Sequence, residues 1–198
     1  MFYLFLLITV LLAFALIFSV LKSGRFAPWA KAYRIAVVSI SLSIITVLFI
    51  RKSVDQFREN ALTVQVINKL PIPLDFYIIK IKKDADPETK YEAKHVGNIR
   101  TNFYRNEYAD MKNSDEFWIA ALMGKNKLVY FSQHSVPNKN EDQILEIRNY
   151  INQSLKLSDI AKTQIADMNF ENMKTAIWLT LSLLLIFLNL VLLLRKDK

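Results

Sequence analysis

The chain has 198 residues, 53% of them hydrophobic, with only 3 Gly, no Cys and a formal net charge of +8. The absence of cysteine excludes disulfides, thiolate metal sites and a cysteine nucleophile. The basicity is uneven: residues 51–174 hold 19 Lys/Arg against 17 Asp/Glu, and the surplus lies in residues 22–34 (+4) and 195–198 (+2). That distribution speaks against a nucleic-acid footprint and for charges that set membrane topology.

Residues 1–21 are apolar and uncharged, long enough to cross a hydrocarbon core of roughly 30 Å. The small-x-small triplet at Ala13–Ala15 lies inside the run and no Lys or Arg precedes it, so the segment reads as a retained helix, not a cleaved signal peptide. Residues 22–34 form a basic loop with Lys22, Arg25, Lys31 and Arg34 and no acidic residue. A second apolar run, 35–50, is bracketed by Arg34 and Arg51, and a third, 174–194, is closed by Arg195 and Lys196. All three read as transmembrane helices. Short basic segments stay in the cytoplasm, so Lys22, Arg25, Lys31, Arg34, Arg195 and Lys196 are the topology determinants. The expected location is a bacterial inner membrane, with the N-terminus and the main domain outside and the tail 195–198 in the cytoplasm.

Apart from Lys174 at the edge of the third, the three spans contain no Asp, Glu, Lys, Arg or His, which disfavours transport or proton relay. Ser39, Ser43 and Thr46 recur at helical spacing in the second span, and Asn189 is the amide deep in the third. Small and polar residues of this kind suit helix packing, within the chain or against another membrane subunit.

Residues 51–60 alternate in charge and extend the second span as a helical linker. The period then changes to two: Leu62, Val64 and Val66 alternate with Thr63 and Gln65, and Pro71 and Pro73 end the strand. A second strand, "LDFYIIKIKK", is apolar on both faces and belongs between a core and a covering layer. The acidic loop with Asp84, Asp86 and Glu88 lacks calcium-loop spacing. A weaker strand is expected in "AKHVGNIRTNFYR", and a hairpin across Gly124, Lys125 and Asn126. Residues 61–137 thus form a β-rich domain of four or five strands, a small antiparallel sheet or an immunoglobulin-like sandwich.

Residues 138–173 are expected to be helical. Asn140 with Gln143 resembles a capping box, Ile144, Ile147, Ile151 and Leu155 form a stripe at helical spacing, and Ser158 can cap a further segment. The fold class is therefore a membrane protein with three transmembrane helices and an extracytoplasmic α+β domain.

The chain holds no HExxH, G-x-S-x-G, P-loop or dinucleotide motif. His95 and His134 each stand without a sequence-adjacent acid or second histidine, which suits structural or surface roles. No catalytic, cofactor or metal residue is assigned, and the chain is read as a non-enzyme. Aromatics interleaved with Arg105 and Lys112 supply interface residue types. Phe103, Phe117 and Trp118 are assigned to the core; Tyr104, Arg105, Tyr108, Ile144 and Ile151 are the external interface candidates. The expected function is an accessory or scaffold subunit of an envelope complex for secretion, transport, motor or respiratory work. Its partners are other integral membrane subunits and the lipid bilayer, with no nucleic acid and an open oligomeric state. Alternatives are an extracytoplasmic ligand sensor, which would need a separate output partner, and a transient assembly factor.

Overall fold

The computed structural model describes residues 2–21, 25–54, 61–83, 86, 90–111, 113–124, 127–138 and 141–195. The sequence expectations at Lys22, Asp84, Glu88, Lys112, Lys125, Asn126, Asn140 and Lys196, and in the linker at 55–60, lie outside them. The chain forms two compact units: residues 1–55 with 170–198, and residues 56–169.

The first unit is helical. Helix α1 (Phe2–Phe18) buries Phe5, Ile8, Leu12 and Ala15, a stripe at spacings of three and four. Its end tightens into i→i+3 bonds from Ser19, Val20 and Leu21, so the regular helix is 17 residues long, shorter than the 21-residue run. Helix α2 (Ala27–Val54) starts inside the segment expected to be a loop, because Pro28 suits a first turn and no breaker follows it. Lys31 and Arg34 are therefore helical residues. Helix α3 (Leu155–Leu194) contributes its C-terminal part, from Phe170, to this unit. Among the described residues two helices, α2 and α3, are long and apolar enough to cross a membrane; α1 is a shorter apolar helix.

Polar pairs lock α1 to α3. Thr9 Oγ1 lies 2.9 Å from Ser182 Oγ, and Asn189 Nδ2 donates to the carbonyls of Leu12 at 3.2 Å and Leu185 at 2.9 Å. Ser182 and Asn189 are fully buried, and Ile186 between them joins the apolar cluster of α1 and α2.

The second unit holds two small, mostly antiparallel sheets. One has the order β4-β1-β7, from β1 (Ala61–Asn68), β4 (Tyr104–Asp110) and β7 (Gln143–Ile147). The other has the order β3-β2-β5-β6, from β2 (Leu74–Ile81), β3 (Tyr91–Ile99), β5 (Glu116–Met123) and β6 (Lys127–Ser135). Both sheets contribute to one buried cluster: Leu62, Val64 and Val66 of β1 share it with Phe76 and Ile78 of β2, Phe117 and Ile119 of β5, and Ile147 of β7. The opposite face of the four-stranded sheet is apolar too. There Tyr77, Ile79, Trp118 and Phe131 pack with Ala161 and Ile165 from the first turns of α3. This explains why β2 is apolar on both faces.

Three expectations are corrected. Residues 104–110 are a separate strand, so six strands stand among the described residues between Ala61 and Ser135, and Asn102, at φ 64°, makes the turn that divides it from β3. The segment after Pro137 opens with a strand, not a helix: β7 runs parallel to β1, pairing Gln65 with Ile144 and Val66 with Leu145. Helix begins only at Leu155, where Ser154 Oγ accepts the Leu157 N–H at 3.3 Å. Ser158 lies inside the helix, buried, with its hydroxyl on the Leu155 carbonyl.

Candidate functional site

In β1 the side chains of Leu62, Val64 and Val66 enter the core, which turns Thr63, Gln65 and Ile67 to the opposite face. Antiparallel register sets Tyr108 beside Thr63, Asn106 beside Gln65 and Tyr104 beside Ile67. Parallel register adds Ile144 on the other side of Gln65. One outer sheet face therefore carries Tyr104, Tyr108 and Ile144, which are 60%, 43% and 65% exposed. At its middle, Gln65 Nε2 donates to Asn106 Oδ1 at 2.9 Å. Exposed aromatic and branched side chains around a pre-ordered amide pair are what a protein-binding surface is made of.

The other external candidates lie elsewhere. Arg105 points away from that face: its Nη1 donates to the Val96 carbonyl of β3 at 3.1 Å. Ile151 is exposed in the segment after β7, where its carbonyl accepts the Phe131 N–H at 2.7 Å. Phe103, expected in the core, is 62% exposed because the turn at Asn102 carries it to the surface, whereas Phe117 and Trp118 are buried as expected. The stripe of Ile144, Ile147, Ile151 and Leu155 does not exist as one face: only Ile147 is buried, since strand geometry alternates Ile144 outward and Ile147 inward.

Among the membrane candidates, Asn189 packs between helices, as described. Ser39, Ser43 and Thr46 are exposed on α2, and the hydroxyls of Ser43 and Thr46 bond to carbonyls one turn back, at 2.9 and 2.8 Å. The polar residues that join helices within this chain include Thr9 and Ser182, which sequence reasoning missed; no local signal marks a hydroxyl pair 173 residues apart.

The histidines are held in the sheets. His95 stacks on Tyr77, with ring centroids 4.7 Å apart, and its Nε2 is 3.5 Å from Asp75 Oδ1. His134 stacks on Phe117, and its Nε2 lies 2.7 Å from Ser132 Oγ; burial pushes its pKa below the ordinary value. A Ser–His pair is a nucleophile only where a substrate can reach the hydroxyl, and Ser132 is 2% exposed. Glu92 is drawn in opposite directions: burial raises its pKa, but Lys80 and Lys82, at 3.0 and 3.1 Å, bring it below the usual carboxylate value. No group of three or more metal-ligating side chains occurs among the described residues. Asn68 is the buried polar hub of the domain. Its Nδ2 donates to the carbonyls of Ile72 and Ile99 at 2.9 and 2.8 Å, and its Oδ1 accepts from Leu70 N at 3.0 Å.

No protein-family model, curated protein or solved structure matches the chain.

Proposed function

We propose that the chain is a non-enzymatic, membrane-anchored accessory or scaffold subunit of a bacterial envelope complex. In this reading α1, α2 and the C-terminal part of α3 all cross the inner membrane. The N-terminus and the β-domain, a two-sheet sandwich, lie outside, and the end of the chain lies in the cytoplasm. The observation that carries the proposal is the outer sheet face with Tyr104, Tyr108 and Ile144 exposed around the Gln65–Asn106 pair. Rigid aromatic side chains on a regular sheet bind a protein partner at a small cost in side-chain entropy.

The exposed face of α2 supports the same reading within the membrane. Ser39 and Ser43 are small, and their exposure leaves room for the backbone of a neighbouring helix to approach. The test is purification of the tagged full-length protein in a mild detergent, with quantitative mass spectrometry of accompanying membrane proteins. Stoichiometric partners that are lost from a Ser39→Leu/Ser43→Leu variant, while its β-domain remains folded, are the expected result. A protein that purifies alone counts against the proposal.

A further inference from the structure

Where α1 ends, α2 begins and α3 ends, the helical unit encloses a cleft of about 500 Å³. Its polar wall contains Lys31, Arg34, Arg195 and Ser19, and Phe18 and Leu193 stand beside them. The cleft has the size of a small-molecule site, which spans roughly 300–1,000 Å³. Its described wall carries three cationic side chains and no carboxylate.

Arg34 is the informative member. It is only 8% exposed, yet its Nε has no hydrogen-bond partner among the described residues. Its Nη2 makes a long bond, 3.4 Å, to the Asn189 carbonyl. A buried guanidinium with unmet donors is unfavourable unless an anion or water completes it. The first turn of α2 lines the same cleft through Ala27 and Pro28, and helix N-termini attract negative charge.

We propose that this cleft binds a phosphate-bearing anion, of the kind presented by the headgroup of an anionic phospholipid. The planar guanidinium of Arg34 suits bidentate contact with phosphate oxygens, Lys31 and Arg195 add point charges, and Ser19 offers a hydroxyl donor. Phe18 and Leu193 give the start of an acyl chain an apolar surface. The lipid form rests on the proposal that the helices cross a bilayer, with this end at the headgroup layer. Free phosphate offers the same recognition chemistry, and the experiment separates the two sources.

The full-length protein in mild detergent is titrated with phosphatidylglycerol, phosphatidylcholine or inorganic phosphate, and followed by native mass spectrometry and thermal melting. Wild-type protein is expected to retain phosphatidylglycerol under activation that strips phosphatidylcholine, and Arg34→Gln to weaken retention about tenfold, as loss of a charge-assisted contact does. Arg25→Gln is the control, because Arg25 is an exposed cation at the same end outside the cleft wall. Lys31→Gln/Arg195→Gln keeps the test open if Arg34→Gln does not fold, since both side chains are exposed. Stabilisation by inorganic phosphate equal to that by phosphatidylglycerol assigns the site to a free anion; stabilisation by the lipid alone assigns it to a headgroup. Equal retention of both lipids, with no response to phosphate, overturns the proposal, as does equal loss in the Arg25 and Arg34 variants. Resistance of the protein to carbonate extraction reports separately on the membrane-spanning reading.

Discussion

Arg105 occupies the space that a side chain at Gly97 would take. A Cβ at Gly97 would lie 2.9 Å from Arg105 Cζ, and Gly97 has φ +116°, a conformation that side chains resist. The arginine bridges β4 of one sheet to the Val96 carbonyl of the other. Gly97→Ala is expected to destabilise the domain by about 1–3 kcal/mol through strain and displacement of the bridge. In an Arg105→Ala background the steric part disappears, so the two losses combine less than additively in a denaturant double-mutant cycle.

Asn68→Ala leaves the carbonyls of Ile72 and Ile99 and the amide of Leu70 without their partner inside the domain. An unmet buried polar group costs about 1–3 kcal/mol, so the variant is expected to lose about 3 kcal/mol or more. Urea unfolding of a fragment covering residues 56–169, itself a compact unit, measures it. A loss below about 1 kcal/mol would mean that water or a backbone shift replaces the amide.

The pH dependence follows from His134. Its folded pKa lies below the unfolded value of about 6.5, so both states are neutral above that pH. As pH falls, the unfolded chain binds a proton first and stability drops until the folded pKa is passed. Glu92 acts in the same direction at lower pH: its folded pKa is also depressed, and its contribution disappears as acid protonates it. His134→Gln is expected to flatten the melting-temperature profile just below pH 6.5 and to leave the more acidic limb due to Glu92 in place.

Much of the β-domain was legible because burial alternates with residue number. Leu62, Val64 and Val66 marked β1, and the two apolar faces of β2 anticipated a layer on either side, supplied by β1 on one and by Ala161 and Ile165 on the other. The hairpin across Gly124 formed as its glycine suggested, at φ 65°. β7 resembles a helix in sequence because Ile144, Ile147 and Ile151 satisfy helical spacing, while the competing alternation of Leu145 and Ile147 spans too few residues to decide. β4 was hidden by its exposed, polar side chains, which an edge strand tolerates. The interface candidates were identified by residue type, and only the register of β1 with β4 and β7 sorts Tyr104, Tyr108 and Ile144 from Arg105 and Ile151. The sequence around Arg34 marks a loop charge; its burial depends on the meeting of helices far apart in sequence.

The absence of native cysteine makes topology directly measurable. Phe26→Cys and Asp159→Cys introduce single thiols at exposed positions, one before α2 and one in the β-domain unit. In intact spheroplasts a membrane-impermeant maleimide is expected to label the second and spare the first. The reverse pattern would invert the proposed orientation.

The central claim is that the outer face of the β4-β1-β7 sheet docks a partner. The most direct measurement places a photo-crosslinking amino acid, one position at a time, at Tyr104, Tyr108 and Ile144 in cells, with Lys162 on α3 as the control. The account predicts one discrete adduct of common partner mass from the three sheet positions and none from Lys162. No adduct from the sheet face, or the same products from all four positions, would contradict it.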